Sequence, residues 1–390
     1  MNDLKERIKI LAEKYFPRVV EIRRDLHANP ELSWNEKRTS QLVAEELRKC
    51  GFEVTTNVAQ TGVVALLKGT NPSTKCIALR ADMDALPINE INEVSYKSCN
   101  EGVMHACGHD VHTANLLGGA MILAELKDEI EGSVKFIFQP SEEKTPSGAE
   151  AMIKEGVLNN PTVSKIFGLH VSPEIEAGKF GFHEGRFMAS SDEIYITIIG
   201  KGGHAAQRDL LINPLIVASQ LLLQLDALNA GAKNFVLSFG SISGAGATNI
   251  VPDKVEIAGT LRCFDEEFRN SIKKRIQEIC KSVAEAHKAN CELNIVMGSP
   301  VVINNEGLTG KAASLSADYL GEANVLAVPR RMGSEDFGYY TQHIPACFYR
   351  LGVGNKTKGI SSGLHTPTFD IDENALKDSI GLMSWLAIKA

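Results

Sequence analysis

The sequence predicts a mixed α/β protein with a largely parallel central sheet, into which a ferredoxin-like α+β domain is inserted. In residues 1–187 and 300–390, short apolar strands alternate with amphipathic helices, which is typical of a parallel sheet covered by helices. Residues 188–299 instead read strand, helix, strand, strand, helix, strand, the βαββαβ order of ferredoxin-like folds. We therefore expect two domains, one formed by 1–187 with 300–390 and one by 188–299.

The first part of the chain begins with helices. Leu4, Ile8 and Leu11 recur at helical spacing and predict an N-terminal helix. Pro17 is expected to break this helix, and a second one is expected to start there and end before Asn29, which precedes a proline. Further elements are predicted as a helix at 39–50, strands at 53–56, 63–67 and 76–79, a helix at 111–126, and strands at 134–138 and 165–169.

Polar side chains follow two of these strands. Glu142 and Glu143 come shortly after the strand at 134–138, and His170 directly follows the strand at 165–169. Ligands of parallel sheets bind just beyond the carboxyl ends of strands. The sequence therefore predicts that these three side chains lie at one edge of the sheet.

The inserted region has its own start and stop signals. Asn213 before Pro214 is a suitable N-cap for the first helix of this region. Its elements are predicted as strands at 192–199, 235–241, 254–261 and 291–297, and helices at 213–228 and 265–288. Beyond residue 299 the mixed pattern returns, with a strand at 347–351 and a closing helix from Glu373.

Composition excludes several classes of function. The net charge is -7 and the sequence pI is about 5.9, which argues against binding nucleic acid or an anionic membrane surface. We find no apolar run long enough to span a bilayer and no apolar core of a signal peptide. The eight cysteines lack the spacing of a disulfide framework. Reduced thiols and a cytoplasmic location are expected.

The segment Met104-His-Ala-Cys-Gly-His-Asp110 carries a candidate metal site. Cys107 and His109 offer soft sulfur and borderline nitrogen donors, which suit zinc, manganese, nickel or cobalt. Two ligands do not hold a metal, and two cations need several. Glu142 could stay unligated and take a proton from water while its neighbour coordinates. The complete candidate ligand set is Cys107, His109, Glu143, His170 and His365.

Each candidate also has an ordinary structural explanation. A single histidine at a strand end is usually a hydrogen-bonded boundary residue, and a cysteine such as Cys107 can be a small buried hydrophobe. His105 and His112 are expected to support the site or the fold and not to bind metal. Three nearby aspartates could orient histidines through hydrogen bonds or cap helices; they are Asp82, Asp84 and Asp110.

Nine motifs follow one another over nearly the whole chain. Together they resemble the binuclear-metal N-acyl-amino-acid amidohydrolase family, which includes hippurate hydrolase and plant auxin-conjugate hydrolases and belongs to the aminoacylase–carboxypeptidase-like metallopeptidases. The motifs are Arg80-Ala-Asp-Met-Asp-Ala-Leu-Pro87, Met104–Asp110, Phe138-Gln-Pro-Ser-Glu-Glu143, Phe167-Gly-Leu-His170, Gly200-Lys-Gly-Gly-His-Ala-Ala206, Thr248-Asn-Ile-Val-Pro252, Gly259-Thr-Leu-Arg262, Met332-Gly-Ser-Glu-Asp-Phe337 and His365-Thr-Pro367.

The resemblance implies an activity and a role for each matching residue. It implies two divalent metal ions held by the five candidate ligands, with Glu142 as the general base. It gives 188–299 the role of a lid and dimerisation domain, so that a homodimer or higher homo-oligomer is expected. His204 matches a histidine that stabilises the tetrahedral oxyanion, and Asn249 and Arg262 match positions that contact the substrate. The implied reaction is hydrolysis of the amide bond of a small N-acyl amino acid.

Some points stay open. The Cys-x-His pair replaces the bridging carboxylate of other branches and makes simple peptidase activity a weaker expectation. Gln207-Arg-Asp209 departs from the usual continuation after His204 and leaves the acyl group open. The alternatives are a narrower deacetylase, for example of N-acetyl-diaminopimelate or N-acetyl-cysteine, a carboxypeptidase or dipeptidase, and an inactive homologue that only binds.

Overall fold

The structure is a computed structural model that describes residues 2–231 and 234–390. Its helices are α1 (Asn2–Ala28), α2 (Lys37–Lys49), α3 (His109–Glu125), α4 (Gly148–Lys154), α5 (Pro214–Asp226), α6 (Glu266–Ala286), α7 (Glu306–Leu320), α8 (Gly338–Thr341) and α9 (Ala375–Lys389). Its strands are β1 (Glu53–Val58), β2 (Gly62–Lys68), β3 (Cys76–Asp82), β4 (Ser133–Gln139), β5 (Lys165–Glu176), β6 (Phe180–Phe182), β7 (Gly185–Met188), β8 (Asp192–Ile199), β9 (Gly203–His204), β10 (Phe235–Ser243), β11 (Ile250–Val251), β12 (Lys254–Cys263), β13 (Asn290–Met297), β14 (Val302–Asn304), β15 (Val325–Ala327) and β16 (Ala346–Gly354).

The chain forms two compact units. The first unit consists of Met1–Gly185, Ile303–Pro329 and Tyr339–Ala390, and the second of Arg186–Val302 and Arg330–Gly338. Each has its own apolar core. No helix in the described parts of the chain is long and apolar enough to cross a membrane.

An eight-stranded sheet organises the first unit, in the order β1-β2-β4-β3-β5-β16-β6-β15. The four central strands β4, β3, β5 and β16 are parallel to one another. Strands β1 and β2 add to this core in antiparallel fashion, and β6 runs antiparallel to β16. The predicted mixed, largely parallel sheet is confirmed.

The register of the central strands brings the predicted site residues together. Asp82 at the end of β3 pairs with Gln139 at the end of β4, and Arg80 pairs with Gly168 on β5. His170, two residues further, therefore lies level with Asp82. The prediction that the strand ends before His170 is wrong. Because β16 continues to pair with it, β5 runs on to Glu176.

The predicted break at Pro17 is also wrong, since α1 is one helix of 27 residues that contains this proline. An interior proline costs about 3 kcal/mol in a helix. One apolar stripe runs past it on both sides and packs into the core, and this burial outweighs the lost hydrogen bond. The stripe consists of Leu4, Ile8, Ala12, Val19, Ile22 and Leu26. The helix ends at Ala28, as the following Asn29-Pro30 predicts.

The second unit has a four-stranded sheet in the order β10-β12-β8-β13, with every pair antiparallel. Helices α5 and α6 join the same core as the sheet. The predicted βαββαβ order is present, and Asn213 caps α5 by accepting a hydrogen bond from the N–H of Leu215. A buried ion pair fastens α6 to β8, because Arg269 donates to both carboxylate oxygens of Asp192 at 2.7 and 2.8 Å.

Neighbouring glycines of α3 give a matched test of the packing in the first unit. A Cβ on Gly118 would lie 2.5 Å from Ile380 Cγ2 and 2.7 Å from Val19 Cγ2, whereas one on Gly119 would meet Met383 Sδ at an ordinary 3.4 Å. Alanine favours a helix over glycine by about 1 kcal/mol, but overpacking costs about 1–3 kcal/mol. We expect Gly119→Ala to be neutral or stabilising and Gly118→Ala to lower the free energy of unfolding. Denaturant unfolding of both variants checks this, and equal stabilities would contradict it.

Candidate metal centre and active site

The candidate centre is built around the start of α3. Gly108 precedes this helix with φ +83, a conformation that other residues rarely adopt, and a Cβ there would lie 2.5 Å from Val171 Cγ2. Its neighbours Cys107 and His109 are directed into the same buried space. The loop of His365 is tied to this turn, because the His365 N–H donates to the carbonyl of Ala106 at 2.8 Å.

All five predicted metal ligands converge in the first unit. Cys107 Sγ lies 3.4 Å from His170 Nε2 and 3.2 Å from His365 Nε2. Glu143 Oε1 lies 3.5 Å from His365 Nε2 and 3.9 Å from His109 Nε2. Glu142 belongs to the same group, with its ligand atom within 4.8 Å of those of His109 and Glu143.

These residues fit divalent cations. His109 Nε2 and Glu143 Oε1 are buried, and neither has a hydrogen-bond partner among the described residues. Buried polar atoms are nearly always satisfied, so two unsatisfied polar atoms that face each other indicate a bound ligand. A thiol, imidazoles and a carboxylate form the donor set of zinc, manganese, cobalt or nickel sites.

Three nearby histidines are fixed by their hydrogen bonds or by burial. His170 Nδ1 contacts the carbonyl of Val171 at 2.8 Å, which leaves Nε2 facing Cys107. His112 Nδ1 contacts Asp82 at 2.5 Å and its Nε2 accepts from the Val171 N–H at 3.0 Å, so both nitrogens are used. His105 is buried, and burial lowers its pKa to about 4. His112 therefore acts as a support in this arrangement, as the sequence predicts.

Two buried carboxylates hold the loop that carries Glu142 and Glu143. Asp84 accepts hydrogen bonds from both of their backbone N–H groups at 3.0 Å, and its carboxylate also lies 3.3 Å from His109 Nδ1. Glu36 accepts from the preceding Ser141 N–H at 2.8 Å, although Ser141 has the unfavourable φ of +46. Three successive amides are thereby fixed by two acids.

Sequence reasoning gave Asp84 an orienting role but missed Glu36. Glu36 is fully buried and lies in the loop before α2, where its carboxylate also accepts from Thr61 Oγ1 at 2.6 Å. Nothing in the local pattern connects this loop with residue 141, which is more than a hundred positions away. Asp110 has a different role from the other two aspartates. It accepts from Arg23 at 2.9 Å and contacts His27 at 2.8 Å, so it joins α3 to α1.

The remaining predicted residues lie in the second unit. His204 on β9 and Asn249 are neighbours, because the N–H of Ala205 donates to the Asn249 carbonyl at 3.0 Å. His204 Nδ1 accepts from the Ala206 N–H at 3.2 Å, so the ring carries its hydrogen on Nε2, which can act as a donor. Arg262 is on another strand, β12. Its guanidinium donates a hydrogen bond to the hydroxyl of Ser334.

Comparison with known proteins decides the family. Residues 78–388 match the model of peptidase family M20/M25/M40. The chain belongs to this family. Its fold agrees with a solved M20 structure, the Bacillus subtilis YXEP protein, which is described as a dinuclear metal binding peptidase. The two share 34% sequence identity with a TM-score of 0.84, over 96% of this chain and 98% of that one.

Three relatives show the range of activities in this part of the M20 family. Thermostable carboxypeptidase 2 of Saccharolobus solfataricus is 38% identical over 99% of each chain. IAA-amino acid hydrolase ILR1-like 4 of Arabidopsis thaliana is 38% identical over 96% of this chain and 86% of its own. N-acetylcysteine deacetylase of Bacillus subtilis is 37% identical over 97% of this chain and 98% of its own. The family and these relatives identify the chain as a metal-dependent amidohydrolase.

In the metal-free M20 centre, the pKa values of Cys107 and His109 are both raised. Burial raises the pKa of the Cys107 thiol well above its ordinary value, and Glu143, Glu142 and Asp82 add to this. Burial opposes the charged form of His109, but Asp82, Asp84 and Glu143 outweigh it and raise the pKa to about 10. Near neutral pH, Cys107 is therefore a thiol and His109 a doubly protonated imidazolium in the metal-free protein.

Metal binding is accordingly expected to release about two protons near pH 7.5, because coordination needs a thiolate and a neutral imidazole. Both pKa values lie above this pH, so the apparent affinity should rise as pH rises, by up to about a hundredfold per pH unit. Titration calorimetry of the metal-free protein with Zn²⁺ or Mn²⁺ in buffers of different ionisation enthalpy measures the released protons. Cys107→Ala should release one proton fewer and bind more weakly. A pH-independent affinity would contradict the assignment.

Proposed function

We propose that this M20 enzyme hydrolyses the amide bond of N-acyl amino acids, releasing a carboxylic acid and an amino acid. The observation that carries the proposal is the convergence of the five candidate ligands in the first unit, with an additional glutamate, Glu142, beside the candidate ligand Glu143. A storage or structural metal site has no need of that second carboxylate. An inactive binding homologue would be expected to have lost a ligand or the base, and all of them are present.

We assign the cations to the five converging residues Cys107, His109, Glu143, His170 and His365. Two divalent ions held there would polarise the scissile carbonyl and make water a better nucleophile at neutral pH. Glu142 would take the proton of the attacking water and return it to the leaving amine nitrogen, which allows one carboxylate to serve as base and then as acid.

Residues of the second unit would serve the rest of the substrate. The Nε2–H of His204 is suited to donate to the carbonyl oxygen as negative charge develops there. Arg262 offers a permanently charged, planar guanidinium for the carboxylate of the amino acid, and Asn249 an amide for hydrogen bonds to the substrate. The lid role expected of 188–299 is consistent with these three residues all lying in that range.

A narrower substrate is the second candidate, and the relatives favour no single one. One relative is named for acetylcysteine, one for conjugates of an indole acid with amino acids, and one as a carboxypeptidase. In each of these reactions the leaving group is an amino acid with a free carboxylate. The relatives therefore support an amino acid as the leaving group of the substrate. Assays with acetyl, benzoyl and indoleacetyl amino acids determine which acyl group the enzyme accepts.

A reducing, cytoplasmic setting agrees with the cysteines. All eight are free thiols, including the buried candidate ligand Cys107. A thiolate ligand is lost when it is oxidised, so an enzyme that depends on one benefits from a compartment that keeps thiols reduced.

We further propose that a homodimer forms through α5 and β10 of the second unit. Strand β10 is at the edge of its sheet, where edge strands can pair with another chain, although the side chain of Asn229 already bonds both backbone groups of Leu237. On α5, Ile216 is 58% exposed and Leu223 is 75% exposed, and Ile242 on β10 is 52% exposed. Ile216 and Leu223 are seven positions apart and so lie on the same side of α5, and large apolar side chains exposed on one face are typical of an association surface.

Replacing the proposed base tests the reaction. Glu142→Gln keeps the size of the side chain and removes its basicity, so kcat should fall by about 10²–10⁴-fold. Metal content should stay at the wild-type level, because Glu143 is unchanged. Initial rates on the N-acyl amino acid panel with each metal, together with elemental analysis, measure both quantities. An unaltered kcat, or no turnover of any panel member by the wild type, would refute the proposal.

Charged substitutions on α5 test the dimer. Leu223→Glu should shift the protein towards monomer in sedimentation velocity, because a carboxylate is costly in a buried apolar contact. Ile10→Glu on α1 is the matched control, since Ile10 is 67% exposed but lies in the first unit. A wild type that sediments as a monomer, or an equal effect of both substitutions, would rule out this interface.

A further inference from the structure

Arg262 is a half-buried cation without a carboxylate partner. Its guanidinium forms no ion pair with any described residue, and burial lowers its pKa. A guanidinium that gives up much of its hydration normally gains an acidic neighbour in return. Arg262 has no such acidic neighbour among the described residues, which indicates that its guanidinium binds an anion that is not part of the chain.

The two acids whose charges act on Arg262, Asp192 and Glu193, are engaged elsewhere. Asp192 accepts hydrogen bonds from Arg269 on both carboxylate oxygens, and it also lies 3.0 Å from Lys273 Nζ. Glu193 accepts a hydrogen bond from Tyr195 at 2.8 Å. Both raise the pKa of Arg262 from a distance, but neither is within ion-pair range of its guanidinium.

The hydroxyl of Ser334 is what Arg262 does contact. Arg262 Nη1 donates to Ser334 Oγ at 2.5 Å, across 72 positions of the sequence. A hydroxyl can fix the plane of the guanidinium without neutralising its charge. The contact uses one hydrogen of Nη1 and leaves the edge formed by Nε and Nη2 for a bidentate partner.

The segment that carries Ser334 is itself anchored to the second unit. Arg330 donates to Asn234 at 2.7 Å, and its guanidinium lies 4.5 Å from the ring centre of Phe264. The N–H of Ala189 donates to the carbonyls of Arg331 and Gly333 at 3.1 Å. Ser334 is thus held at a fixed position relative to β12.

From this geometry we propose that Ser334 is a positioning residue for substrate recognition. It holds Arg262 so that the Nε–Nη2 edge takes the carboxylate of the amino-acid half of the substrate. The inference rests on the proposed function, because it needs a substrate with that carboxylate. Ser334 itself is not assigned a contact with the substrate.

The test compares an N-acyl amino acid with its carboxamide, for example benzoylglycine with benzoylglycinamide, on the metal-loaded full chain. Ser334→Ala should raise KM for the acid by about tenfold, the value of one hydrogen bond to a charged group, and leave kcat nearly unchanged. KM for the carboxamide should not change, since it has no carboxylate to position. Ser334→Thr keeps the hydroxyl and should restore the wild-type KM.

Two further variants separate the possible failures. Asn234→Ala removes the Arg330 contact but keeps the Ala189 hydrogen bonds to this segment and the hydrogen bond between Ser334 and Arg262, so it should raise KM for the acid much less than Ser334→Ala does. Arg262→Met should raise KM for the acid more than Ser334→Ala does. If Arg262→Met has no effect, the carboxylate role of Arg262 in the proposed function is wrong, and the inference fails with it. If only Arg262→Met has an effect, or if Ser334→Ala weakens acid and carboxamide equally, the positioning role is wrong while the proposed function stands.

Discussion

The buried carboxylate of Asp84 is the contact on which the candidate centre depends. It reaches a metal-ligand candidate, His109, and the two backbone amides of Glu142 and Glu143. A single side chain thus fixes the loop of Glu142 and Glu143 relative to the His109 imidazole, and with it the candidate ligand and the proposed base. Burying a charge is costly unless it is fully hydrogen-bonded, and Asp84 meets that condition with Ser33 as a further donor. Asp84 follows the end of β3 by two residues, at the edge of the sheet where β4 also ends.

The same principle of acids fixing amides explains why a strained backbone persists near the centre. Ser141 holds a left-handed conformation that costs a non-glycine residue roughly 1–2 kcal/mol. Glu36 offsets that cost by accepting its N–H, and the next two amides have Asp84. The direction of the glutamate side chains is therefore decided by residues far away in the sequence, and not by the propensities of the loop that carries them.

Many elements of the fold could be predicted because they depend on local sequence patterns. Alternating strands and helices predict the sheet, and Asn213 before Pro214 predicts the start of α5. What could not be predicted depends on neighbours that are distant in the chain. The end of β5 is set by its pairing with β16, and the continuity of α1 through Pro17 by the core on which it packs. The five candidate ligands could be named because motifs carry them, whereas the contacts of Glu36 and Ser334 are created only by the fold.

The long separation of the ligands has a consequence for how the protein is made. Cys107 and His365 touch, yet they are 258 residues apart in the chain. During synthesis the early residues leave the ribosome first, so a nascent chain presents Cys107, His109, Glu143 and His170 well before His365 exists. A cation that arrives early meets an incomplete set of donors. With these residues as ligands, the full donor set exists only after residue 365 has been made, and a chain that ends before this position would lack one donor of the centre.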